Sequence, residues 1–179
     1  GGVPQRLTWH PGPDLAQDFR PDGEAVLFTS PRAVHTTRYT QLFTISIDGG
    51  HPESGAIPHA SMAAYSPDGS GIAYTPVYEA FRQWKNYRGG TISRIWLYQS
   101  GSHDVVEVPK PKGGCNDTEP IWIGGTLYFL SDRHGEFNLY SYNSSEKSVD
   151  QLTFHADFPV VHASAGGGVI VYEQAGYLH

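Results

Sequence analysis

Cysteine occurs once in the 179 residues, at Cys115, and methionine once, at Met62. A lone cysteine cannot close an internal disulfide, and its place beside Gly113 and Gly114 reads as a small residue in a turn. Positive charge is scarce. Against 18 Asp and Glu stand 12 Lys and Arg, for a formal net charge of −6. Nucleic-acid binding needs a basic footprint, so no nucleic-acid partner is expected. No apolar run approaches the ~20 residues of a membrane helix, so no membrane partner is expected either. Helical periodicity is also missing, its nearest candidate being the stretch 78–87.

What the chain has in quantity is turns. Its 21 glycines, 13 prolines and 13% aromatic residues suit an all-β protein. Ala64–Thr75 reads as a short strand, a tight Pro67-Asp68-Gly69 turn and a second strand. The same hairpin recurs at 18–30, 120–131 and 161–173. Its turn glycines Gly23, Gly69, Gly125 and Gly167 are separated by about 46, 56 and 42 residues. Alternating strands follow each hairpin, such as Leu42–Ile47, Arg94–Tyr98 and Asn138–Tyr142. A repeat of about 40–50 residues with four short strands is the signature of a propeller blade. The expected fold is therefore a β-propeller of four-stranded antiparallel blades, about four of them, in one domain over 1–179. Blades are expected at 16–58, 62–109 and 119–153, with residues 1–8 as the last strand of a split blade. Residues 158–179 would open a further blade and stop inside its third strand. The chain reads as a fragment, and its open edges lead us to expect self-association, Val3–Thr8 of one molecule completing the 158–173 sheet of another.

Between the second and third strands of the blade at 62–109 sits a long insertion, 76–91. Phe81, Trp84 and Tyr87 alternate there with Arg82, Lys85 and Arg88. Such a composition can grip a carboxylate or a peptide backbone. The alternative is that the aromatics pin the loop while the cations are solvated. The candidate binding residues are Arg82, Trp84, Lys85, Tyr87 and Arg88, with Trp84 and Tyr87 expected to pack and the cations to reach solvent.

Catalytic and metal-binding patterns are not found. There is no Gly-x-Ser-x-Gly elbow, and the nine histidines make no His-x-x-x-His pair. Ser131-Asp132-Arg133-His134-Gly135 contains catalytic residue types, but consecutive residues in a turn point apart. It reads as a hairpin in which Asp132 bonds backbone amides and Gly135 takes the left-handed region. No catalytic residue, metal or cofactor is expected.

Two stretches carry a resemblance. One is Trp84-Lys85-Asn86-Tyr87-Arg88-Gly89-Gly90-Thr91, followed by Ile95-Trp96. The other is Asn116–Trp122, followed by Leu127–Tyr140. In this order and spacing they resemble the N-terminal six-bladed propeller of the tricorn protease family, over nearly the whole chain. The Pro-Asp-Gly hairpins alone are similar to TolB-type propellers. The tricorn resemblance implies a non-catalytic domain of a large, oligomeric, usually cytoplasmic serine peptidase. Its partners would be peptides or polypeptide substrates and the remaining domains of the parent, and it would border a channel to a catalytic chamber built elsewhere. The other reading is a TolB-like interaction scaffold with no peptidase attached, for which a periplasmic or secreted location is open.

Overall fold

The computed structural model describes residues 2–36 and 39–179. Their strands form four antiparallel sheets in chain order. The first blade holds β1 (Leu15–Phe19), β2 (Ala25–Ser30), β3 (Gln41–Ser46) and β4 (Glu53–Ser54). The second holds β5 (Met62–Tyr65), β6 (Gly71–Thr75), β7 (Trp96–Gln99) and β8 (Val105–Glu107). The third holds β9 (Asp117–Ile123), β10 (Thr126–Ser131), β11 (Asn138–Asn143) and β12 (Ser148–Gln151). The fourth has three strands, β13 (Val160–Gly166), β14 (Val169–Gln174) and β15 (Tyr177–Leu178). The chain is an all-β propeller.

The hairpin turns close as the sequence dictates. In the Pro-Asp-Gly turns, Gly23 donates to the Arg20 carbonyl and Gly69 to the Ser66 carbonyl, both at 2.8 Å. Both glycines take positive φ, 78° and 71°, which a side chain would strain. The Asp68 carboxylate accepts from the Ser66 and Ser70 hydroxyls at 2.6 and 2.7 Å, which holds it down to about 2.

Strand alternation then builds the core between blades. Leu27 and Leu42 of the first blade pack on Ala63 and Tyr74 of the second. Ala73, Ile95 and Val108 of the second meet Leu127, Phe129 and Tyr140 of the third. Leu130 and Leu139 of the third meet Val160, Ile170 and Tyr172 of the fourth. The second strands β2, β6 and β10 are thus buried on both faces, as strands covered on both sides are.

The N-terminal segment departs from the sequence expectation. Val3–Thr8 forms no strand and joins none of the sheets of its own chain. Instead Leu7 packs on Phe28, Phe43 and Ile45, covering the first blade's outer face. The nearby Pro4, Pro11 and Pro13 lack the N–H donors a ladder needs. The fourth blade correspondingly exposes Val169, Val171 and Leu178. Among the described residues no helix is long and apolar enough to cross a membrane.

Candidate functional site

The first strands of successive blades stand side by side, β1 by β5, β5 by β9 and β9 by β13. Together they frame a groove of about 670 Å³. Small side chains line much of it, including Ala16, Ser61, Ala63, Ala163 and Ser164. Tyr78, Glu79 and Arg82 of the 76–91 insertion contribute to its wall, as does Trp122. Small residues on the first strands leave the space that bulky ones would close.

The groove is negative. Glu79 is buried and accepts from the Thr118 hydroxyl and the Arg82 Nε. Asp18 accepts the Tyr65 N–H at 2.8 Å, and burial pushes its carboxyl up. Glu119 accepts the Ala163 N–H at 2.7 Å, and its carboxyl is raised by burial, with the Glu79 charge adding to this. Three carboxylates therefore share the groove with one guanidinium, that of Arg82.

The insertion is a strap laid from the second blade onto the third. It contains a single 3-10 turn, Ala80–Arg82. Phe81 sits on Phe137 with ring centroids 4.7 Å apart. Lys85 pairs with Glu136, and Arg88 Nη1 donates to Asp132 at 2.7 Å. Asn116 Nδ2 donates to the Tyr87 carbonyl at 3.0 Å. The five candidate residues are thus not gathered into one grip. Arg82 borders the groove, while Lys85 and Arg88 are spent on acids of the third blade. Tyr87 is half-buried, with its ring 6.2 Å from that of Trp84. Trp84 itself is 60% exposed, against the expectation that it packs.

Sequence reasoning missed the buried polar network beside the strap. Arg94 donates from Nε to Glu107 at 2.9 Å, from Nη2 to the Val108 carbonyl at 2.7 Å, and from Nη1 to Asp117. Arg133 donates to the other Asp117 oxygen at 3.1 Å, its guanidinium carbon 5.1 Å from the Phe129 ring centre and 5.0 Å from that of Tyr140. Cys115 lies buried against Arg94, and burial, with Asp117 adding, pushes its thiol up to about 11. The signal was a repeat. Arg32 bonds Asp14 at 2.6 Å and lies over Phe28 and Phe43, so Asp14, Ser30 and Arg32 match Asp117, Ser131 and Arg133.

A family model described as the tricorn protease N-terminal beta propeller domain matches residues 1–179. The chain belongs to this family. Tricorn protease homolog 1 of Streptomyces coelicolor is 28% identical over 179 residues, 99% of this chain and 16% of that protein. Putative tricorn protease homolog 2 of the same organism is 31% identical over 185 residues, 99% of this chain and 14% of that protein. The chain thus spans well under two thirds of the length of the curated relatives it matches. Among solved structures, that of the tricorn protease superposes with a TM-score of 0.77 at 21% identity, over 92% of this chain and 16% of that one. A putative TolB from Agrobacterium tumefaciens gives 0.65 at 16% identity, over 87% of this chain and 52% of that one. Both likenesses show the fold.

In this tricorn-type propeller, the stretches that carry the sequence resemblance also build the strap and the network. Trp84–Thr91 supplies Lys85 and Arg88, Asn116–Trp122 supplies Asn116, Asp117 and Glu119, and 127–140 supplies Asp132, Arg133 and Phe137.

Proposed function

We propose that this chain is a non-catalytic propeller domain of a tricorn-like serine peptidase that takes up peptides in the groove between its blades. It would hold them for a catalytic chamber built by other domains of the parent protein, whose setting we take to be cytoplasmic. The observation that carries the reading is the groove itself, long enough to touch all four first strands and lined by small side chains and backbone. Extended peptides suit such a lining, because strand edges offer main-chain hydrogen bonds without side-chain selection. Of the candidate residues, Arg82 belongs to the groove wall, while Trp84 and Tyr87 do not line it. Lys85 and Arg88 serve by holding the strap in place. Family membership supports the peptidase parent, and the negative groove favours peptides that carry positive charge.

The test is peptide binding followed by fluorescence anisotropy, with and without Ser164→Trp. Ser164 is exposed and lines the groove, so an indole there fills space without disturbing the core. Binding by the native chain and a loss of about tenfold or more in the variant are expected. Binding that Ser164→Trp leaves unchanged would place the peptide elsewhere.

A further inference from the structure

A second cavity adjoins the groove. It measures about 220 Å³ and lies under the strap, between the third and fourth blades. Its walls are mostly apolar, with Phe81 and Phe137 on the strap side, Leu130, Val160 and Val161 from the blades, and Thr118 and His162 among them. Arg82 and Glu119 line both cavities, so they stand where the two meet.

Glu119 is unusual in three ways. Its φ is 50°, in the left-handed region that non-glycine residues seldom adopt. It sits where β9 slips out of register with β10, a bulge, which is a device for re-aiming a side chain. One of its oxygens accepts the Ala163 N–H, while the other has no hydrogen-bond partner among the described residues. Its carboxyl is also held above its ordinary range, first by burial and then by Glu79, so a cation is the partner it lacks. Arg82 and His162 act on it only through space, since neither donates a hydrogen bond to it and the Arg82 Nε is committed to Glu79.

We propose that this pocket and Glu119 bind the N-terminal residue of a peptide lying in the groove. The α-ammonium meets the free Glu119 oxygen, and an aliphatic or aromatic first side chain enters between Phe81, Phe137 and Val161. A C-terminal carboxylate fits the junction poorly, because it would face Glu119 while Arg82 is already paired with Glu79. The proposal rests on the groove being a peptide site, and it adds which end of the peptide is read and what its first residue must be.

Pentapeptides labelled at a C-terminal lysine test it by anisotropy with the full chain. Three are compared: Leu first, Gly first, and Leu first with an acetylated amine. Acetylation should weaken binding about tenfold, since a charge-assisted hydrogen bond is lost. Replacing Leu by Gly should weaken it about tenfold or more, since the apolar pocket is left empty. Glu119→Gln keeps an acceptor for Ala163 and should abolish the acetylation effect while preserving the preference for Leu. Val161→Trp should do the reverse, and if it fails to fold the native chain with the three peptides still decides. Equal affinity for all three peptides overturns the inference and leaves the groove reading standing. No binding of any of them overturns both.

Discussion

Arg88 Nη1 donates to Asp132 across 2.7 Å, joining the strap of the second blade to the third. The two ends of this pair are unequal. Asp132 is buried and also accepts the Asn116 N–H at 2.7 Å and its Nδ2 at 2.9 Å, whereas Arg88 is about one third exposed. Asp132→Ala leaves the buried Asn116 N–H without its acceptor and removes the strap's anchor, and should cost about 3–5 kcal/mol in urea denaturation. Arg88→Ala should cost about 1–2 kcal/mol and should speed amide exchange over 83–91 far more than elsewhere. Equal losses for the two variants would contradict this assignment of anchor and latch.

Trp84 gives the opposite expectation to the one its aromatic character suggests. At 60% exposure, truncation to alanine should change stability by no more than about 0.5 kcal/mol. Phe129, fully buried under Arg133, should cost about 3–5 kcal/mol on the same truncation. A large loss at Trp84 would mean that the strap packs more tightly than described.

The difference between these two aromatics marks how much could be read in advance. Phe129 lies in a period-2 strand, and its burial follows from alternation and the hairpin repeat. The blades were legible for the same reason, since each Pro-Asp-Gly turn announces the strands on either side. Trp84 lies in a loop, where no periodicity says which way a side chain points. The N-terminal segment misled because Gly1–Thr8 resembles Val149–Thr153 in sequence, although its prolines and the cover Leu7 gives Phe28 decide otherwise. The Asp14–Arg32 and Asp117–Arg133 pairs were hidden because each joins residues 16 to 18 apart across a blade. Alignment of the repeats, rather than local pattern, was the signal for them.

Cys115 should be chemically silent. Its thiol is fully buried and pushed up to about 11, so little thiolate exists at about pH 8. A thiol reagent should label the native chain only over hours and the urea-unfolded chain within minutes. Rapid stoichiometric labelling of the native form would show that the Arg94 network opens readily.

Glu119 should make the fold less stable as the solution becomes less acidic. Burial raises its carboxyl above the ordinary 4.5, so the folded chain holds this proton more tightly than the unfolded one. Stability from this group is present below the ordinary value and is lost as pH rises through the higher, folded one. Glu119→Gln removes the charge and should therefore raise Tm at about pH 7 and leave it nearly unchanged at about pH 3.5. A Tm that falls at neutral pH in the variant would mean that the carboxylate already has a cationic partner.

The most direct test of the groove as a peptide site is photo-crosslinking. A short peptide bearing a benzophenone is irradiated with the full chain, and the adducts are mapped by mass spectrometry. Adducts on Met62, Tyr78 and Trp122, all of which line the groove, are the predicted result. Adducts confined to the exposed face of the fourth blade, around Val169 and Val171, would contradict the account.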